Sequence, residues 1–245
     1  MKKILFILLV SSLSRVCGQS IKNGEIIYKI SVSKENIKEY NEKRRIKFKN
    51  KFAIKYWDDF YQESNYTEGV LKFNGLKSSY QIKKKLKNEG KISLTTLDIF
   101  AGGRNIYFVD ILKKETIVLD SRTLGESFLI SYDFQKWELT QNFRIINGYK
   151  CYLAKSETIG ENKKTILAWY TNDIPTTFGP MFYSGLPGLI LELDDGTLSY
   201  KAKKIKLNNK KKILIEEKGN GISITREEFL KLAKKSFPKE LFKNK

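Results

Sequence analysis

Apolar and polar residues alternate with a two-residue period through much of this chain, and the alternating runs end at clusters of Gly, Asn or Asp. That period is the mark of strands with one face in a core and the other in water. Ile46, Phe48, Phe52, Ile54 and Tyr56 alternate with Lys47, Lys49, Lys51 and Lys55, which predicts a half-buried strand with a lysine ladder outside. Residues 107–111 and 116–120 flank Lys113-Lys114 as a hairpin, and Phe128, Ile130 and Tyr132 repeat the period. Asn147-Gly148 supplies the pair that tolerates positive φ at both corners of a type I′ turn, joining 144–146 to 149–154. Asp194-Asp195-Gly196 and Asn208-Asn209 punctuate 189–193, 198–207 and 212–217, which are expected as sequential antiparallel partners.

One helix stands out, near the C-terminus. Thr225-Arg226-Glu227-Glu228 fits a capping box, Phe229, Leu232 and Ala233 form an apolar stripe, Lys231, Lys234 and Lys235 suit the C-terminal end, and Pro238 stops it. The expected fold is mainly β, an antiparallel meander or curved half-barrel-like sheet with a C-terminal helix. No Pro, Gly and Ser-rich linker divides the chain, so residues 19–245 are expected to form a single β-rich domain.

The densest local constraint lies in 169–192, where Gly179, Gly185 and Gly188 and Pro175, Pro180 and Pro187 sit among apolar side chains. Pro187-Gly188 reads as a type II turn, with Gly188 at positive φ, feeding the strand that begins at Leu189. Residues Gly185-Leu186-Pro187-Gly188-Leu189-Ile190 match the motif that names the GLPGLI family of cell-envelope proteins of Bacteroidota. Trp137-Glu138-Leu139, the run 146–154, Ala168-Trp169-Tyr170-Thr171, Asp173-Ile174-Pro175 and Gly179-Pro180 follow that family's relaxed pattern in order, and the chain resembles it from 137 to about 217. The resemblance implies an exported β-rich protein whose biochemical activity is unassigned.

The N-terminus gives a separate reason to expect export. Lys2 and Lys3 precede the apolar run 4–10, and a polar stretch ends at Val16-Cys17-Gly18, the order of a secretory signal too short to span a bilayer. Cleavage after Gly18 removes residues 1–18; lipidation at Cys17 is the alternative. Cys151 is then the one cysteine of the mature chain under the first reading, so no internal disulfide forms, and the alternation of Tyr149, Cys151 and Leu153 turns its thiol inward.

The chain contains no histidine, which removes histidine-dependent Ser and Cys triads and His-ligated metals. No phosphate-binding glycine loop is present, and Gly102-Gly103-Arg104 is too short to stand for one. Catalytic, cofactor and metal residues are therefore expected to be none. The net charge is +19, and loss of Lys2, Lys3 and Arg15 with the signal lowers it to +16. Such an excess attracts anionic surfaces. Lysines dominate it, as on solvated faces, and Arg44-Arg45 is the one local arginine pair. Export makes nucleic acid an unexpected partner.

Three functions follow. The first is a non-catalytic binding or assembly component of the envelope, in the periplasm, at the outer membrane or secreted, with an envelope protein or outer-membrane component as partner and peripheral membrane contact. Its contact loop would comprise Gly179, Pro180, Met181, Phe182, Gly185, Leu186, Pro187, Gly188, Leu189 and Ile190, unless Met181, Phe182 and Leu186 fold back to plug the sheet. The second is a carrier of a lipid or extended peptide in an aromatic-lined hollow. The third is a histidine-free hydrolase built on Asp173, Glu192, Asp194 and Asp195.

Overall fold

The computed structural model describes residues 21–48, 50–62, 65–83, 94–158, 163–208 and 213–236. The described residues open with β1 (Asn23–Val32), α1 (Lys34–Glu39), a π-helical turn at Tyr40–Arg44, a 3-10 turn at Arg45–Lys47 and α2 (Lys51–Phe60). Then come β2 (Thr67–Asn74), β3 (Lys77–Ile82), α3 (Thr96–Phe100), β4 (Ile106–Asp110), β5 (Glu115–Asp120) and β6 (Phe128–Tyr132). The second half holds β7 (Glu138–Ile146), β8 (Tyr149–Glu157), β9 (Thr165–Thr171), β10 (Leu189–Asp194), β11 (Leu198–Leu207), β12 (Ile222–Thr225) and α4 (Arg226–Ser236). The protein is mainly β, as the alternation predicts, and ends in a helix within the described residues.

Among the described residues, all twelve strands belong to one sheet in the order β12-β6-β5-β4-β3-β2-β1-β11-β10-β9-β8-β7. Two antiparallel meanders, β1 to β6 and β7 to β11, are joined where β1 pairs with β11 from Gly24↔Leu207 to Val32↔Leu198. The sheet is strongly curled. Seven inter-strand steps separate β10 from β6, about 34 Å across a flat sheet. Phe182 lies only seven residues before Leu189 of β10, a reach of about 23 Å when extended, yet its ring stacks on Tyr132 of β6 at 4.9 Å. The loop also doubles back at the Phe178–Ser184 bridge and turns at Pro180–Tyr183, so its real reach is shorter still and the sheet curves to bring β6 toward β10. Ile26, Tyr28 and Ile30 of β1, Leu71 and Phe73 of β2, Tyr80 of β3 and Tyr200 of β11 are all buried, and they form the core.

Local turn chemistry explains several elements. Asn147 and Gly148 have φ of 50° and 81°, and the hairpin they close pairs Ile146 with Tyr149. The Asn147 amide also donates to the Ala202 carbonyl at 2.7 Å, tying the hairpin tip to β11. Before α4, the Thr225 amide donates to the Glu228 carboxylate at 3.0 Å and the Glu228 amide to the Thr225 hydroxyl at 3.2 Å, a complete capping box.

Four expectations are corrected. Residues 46–56 do not form a strand. Asn50 caps α2 by accepting the Phe52 amide at 2.8 Å, and Ile54, Trp57, Phe60 and Tyr61 turn toward the core with helical spacing while Phe52 and Tyr56 stay exposed. The helical period of the larger aromatics outweighs the alternation with lysine. Residues 213–217 form no strand either; β1 already occupies the open edge of β11, and the Ile213 carbonyl is held instead by the Asn74 amide at 3.0 Å. The third correction concerns α4: Phe229 and Ala233 are buried, Phe229 against Phe128 at 5.4 Å, but Leu232 is exposed. Finally, β12 returns to pair parallel with β6, so the sheet is not wholly antiparallel. The proposed signal, Cys17, Lys49, Asn209, Lys212 and Pro238 lie outside the described residues.

Candidate functional site

The loop 172–188 leaves β9 at Thr171, enters the concavity and returns to β10. Ile174 starts it: its carbonyl accepts the Leu189 amide at 3.0 Å, so the two ends of the loop are clamped together. Phe178 and Ser184 then pair as an isolated antiparallel bridge, and the Ile190 amide donates to the Phe178 carbonyl at 3.1 Å. At the tip, the Tyr183 amide closes a turn on the Pro180 carbonyl at 3.1 Å, with Met181 at φ 53°. A non-glycine residue in that region is strained by about 1–3 kcal/mol and needs surrounding contacts to hold it. The Tyr200 hydroxyl supplies one by donating to the Met181 sulfur.

Side chains of this loop fill the hollow. Ile174, Phe178 and Leu186 are buried to 1% exposure or less, and Tyr183 is buried as well. Phe178 lies 5.9 Å from Phe73, and Phe182 reaches both Tyr132 and Tyr107, the latter at 6.2 Å. Gly179 and Pro180 are buried, Met181 and Phe182 are half-buried, and Leu189 and Ile190 are part of the core. Gly185 and Pro187 alone among the contact-loop residues are exposed. Trp137 pins the far side of the loop, its indole donating to the Ser184 carbonyl at 2.8 Å.

The glycines act through two different constraints. Gly185, at φ 96°, takes the positive-φ corner. Gly188 does not: its backbone lies outside the positive-φ region, which overturns the type II reading of Pro187-Gly188. Gly188 is needed because a Cβ there would stand 2.0 Å from the Thr171 carbonyl oxygen, so the start of β10 could not approach the end of β9. At Gly179 a Cβ would meet Ile190 Cδ1 at 2.6 Å and the Tyr183 oxygen at 2.7 Å.

Polar groups around the loop serve its geometry. The Tyr28 hydroxyl donates to the Ile190 carbonyl at 2.6 Å where β10 bulges, and burial pushes that phenol far above its usual range. Asp195 accepts the Thr197 and Leu198 amides at 2.9 and 2.8 Å and the Tyr183 hydroxyl at 3.2 Å. Burial raises the Asp195 carboxyl despite these donors, and burial first, with the Asp195 charge second, holds Tyr183 well above the usual phenol range. Asp194 accepts the Gly196 amide at 2.9 Å, Glu192 pairs with Arg144, and Asp173 sits exposed in the turn after β9. The four carboxylates therefore occupy a hairpin corner, an ion pair and a surface turn. Among the described residues no cluster of three or more His, Cys, Asp or Glu side chains is placed to hold a metal ion.

Cys151 is a free thiol with no exposed surface, pushed up to about 11, chiefly by burial. A separate surface feature, outside the loop, lies on β7, where Leu139, Phe143 and Ile145 are 55%, 60% and 65% exposed. Phe143 pairs with Tyr152 and Tyr152 with Tyr170, so the row continues the concave face beyond the plug. Its two-residue spacing is present in the sequence, interrupted at Gln141.

Residues 155–192 match a family described as "Protein of unknown function (Porph_ging)", a segment that contains β9, the plug and the start of β10. No curated protein matches the chain. Two solved structures of PNGF-II, in C2 and P21 space groups, are similar in fold, with TM-scores of 0.55 and 0.53, each at 18% identity over 88% of this chain. The chain spans about a third of those proteins, 33% and 34% of their length. An uncharacterized conserved protein from Thermus thermophilus aligns over 85% of this chain and 93% of its own, at 7% identity and a TM-score of 0.39. The similarity to PNGF-II concerns architecture alone, and the match to a family of unknown function is confined to residues 155–192.

Proposed function

We propose that this protein is a non-catalytic binding module of the cell envelope that takes an extended partner segment along β7. The observation that carries the reading is the contrast between the filled hollow and the open edge. Loop side chains occupy the concavity, which argues against a carrier of a lipid or peptide there. The candidate carboxylates are engaged in turns and an ion pair or stand alone, which argues against a hydrolase.

β7 offers what a strand-shaped partner requires. Among the described residues its outer edge has no strand partner, leaving backbone donors and acceptors open. Leu139, Phe143 and Ile145 present alternate apolar side chains beside that edge, and the bulge between Leu139 and Phe143 leaves the run from Phe143 to Ile146 regular. Phe52 on α2 is more exposed still, but a helix has no open ladder to extend. The signal-like N-terminus and the resemblance to the GLPGLI family support export, and an envelope protein as the partner.

The test pairs Phe143→Glu with Ile145→Glu in the native host. Loss of a stoichiometric partner from envelope preparations, with the urea midpoint unchanged, is the expected result. Retention of that partner by the double variant, or replacement of it by a second copy of the chain, would refute the reading.

A further inference from the structure

A second surface, remote from β7, carries an inference of its own. Where the ends of β3 and β5 meet the start of β4, a cleft of about 210 Å³ is lined by Gln81, Gly103, Arg104, Asn105, Ser121 and Arg122, with Ile82 and Leu94 as its apolar walls. We propose that this cleft binds a phosphate group, free or as a phosphate monoester.

Among the described residues the lining includes two arginines and no carboxylate. Among the described residues neither arginine side chain has an ion-pair or hydrogen-bond partner. Both are exposed at the cleft mouth, and an anion held between two unpaired cations gains from both. The larger cleft, about 320 Å³, shows the opposite arrangement. It mixes Lys77, Lys113 and Lys218 with Asp110, Glu216 and Glu217, and Lys77 already pairs with Asp110 at 3.7 Å, while Lys218 pairs with Glu115. That site neutralises its own cations; the arginine cleft does not.

Both arginines sit on loops fixed from below. The Arg122 and Thr123 amides donate to the buried Asp120 carboxylate at 3.1 and 2.9 Å, so the β5–β6 turn is held in shape before any ligand arrives. On the other wall, the Gly103 amide donates to the Asp98 carbonyl at 2.7 Å and the Asn105 amide to the Gly102 carbonyl at 3.0 Å. Gly102 and Gly103 stand at φ 121° and 59°, conformations that let Arg104 leave α3 in a tight turn. Gly102-Gly103-Arg104 is no phosphate loop by itself, but the fold adds Arg122, Ser121 and the Gln81 amide to it.

Charge and donor number favour phosphate over a carboxylate. One guanidinium fork satisfies a carboxylate, whereas two forks, the Ser121 hydroxyl and the Gln81 amide suit a group with three or more oxygens and nearly two negative charges. The test is a titration of the purified full chain with inorganic phosphate at low ionic strength, read by arginine side-chain NMR and calorimetry. Saturable binding with shifts at Arg104 and Arg122 is expected, and Arg104→Gln with Arg122→Gln should weaken it at least tenfold at an unchanged unfolding midpoint. Lys77→Gln with Lys113→Gln should leave it unaltered. Binding that never saturates, an equal loss in the lysine variant, or acetate competing as well as phosphate would overturn the assignment.

Discussion

Gly188→Ala separates two physical explanations of the same glycine. If the residue served only a positive-φ corner, alanine would cost about 1 kcal/mol. The structure requires more. The added Cβ would lie 2.0 Å from the Thr171 oxygen, 2.5 Å from the Thr171 carbonyl carbon and 3.0 Å from the Asn172 nitrogen, all backbone atoms that no rotamer can move aside. Relief means separating β9 from β10 by about 1 Å or more at Leu189↔Thr171, the first pair of their ladder, and loosening the Leu189 to Ile174 clamp. Overpacking of this kind costs about 1–3 kcal/mol, and a lost ladder bond adds about 1 kcal/mol, so the expected loss is about 3 kcal/mol. Gly185→Ala provides the internal reference, because Gly185 has φ 96° and its nearest non-neighbour atom to an added Cβ is 3.8 Å away, so backbone strain acts there without overlap. Urea unfolding of both variants, compared at equal slope, measures the difference. A Gly188→Ala loss no larger than that of Gly185→Ala would refute the backbone-contact account.

The plug makes a graded prediction. Phe178→Ala, at a fully buried position, should cost about 3–5 kcal/mol, and Phe182→Ala, half-buried against Tyr132, about 2 kcal/mol; equal losses in urea unfolding would contradict the difference in packing. Cys151 should resist thiol reagents at pH 8 in the folded protein and react at once in denaturant, and rapid labelling of the native chain would show that its thiol is not sequestered. Glu68 accepts Lys83 and Lys203 at 2.8 and 2.9 Å, and those hydrogen bonds lower its carboxyl below the ordinary range. Its folded-state value is depressed, so its contribution is present above the unfolded value of about 4.3 and fades as pH falls through the folded one. Glu68→Gln should therefore lower thermal stability near pH 7 and flatten the loss on acidification; an unchanged acid limb in the variant would sink that assignment.

Features encoded within a few residues were legible from the sequence. The Asn147-Gly148 turn, the Thr225/Glu228 capping box and the inward Cys151 each depend on local backbone preference or on side-chain alternation. Features decided by distant pairing were not. Nothing near Asn23 or Leu207 announces that β1 joins β11, and that junction also decides that 213–217 cannot extend the meander. The segment 46–56 carries two periods at once, and packing of Trp57 and Phe60 against Tyr61 and Phe100 decides for the helix. The glycines of the plug were visible, but the close approach at Gly188 depends on where Thr171 comes to lie. The arginine cleft was equally hidden, since Arg104 and Arg122 meet only across β4 and β5.

The most direct test of the edge-binding account is site-specific photocrosslinking in the native envelope, with the probe placed at Phe143, at Phe182 and, as an exposed control, at Lys204. The account predicts a discrete adduct with an extended segment of another protein from Phe143 alone. An adduct from Phe182 with none from Phe143 would contradict it and assign recognition to the plug loop instead.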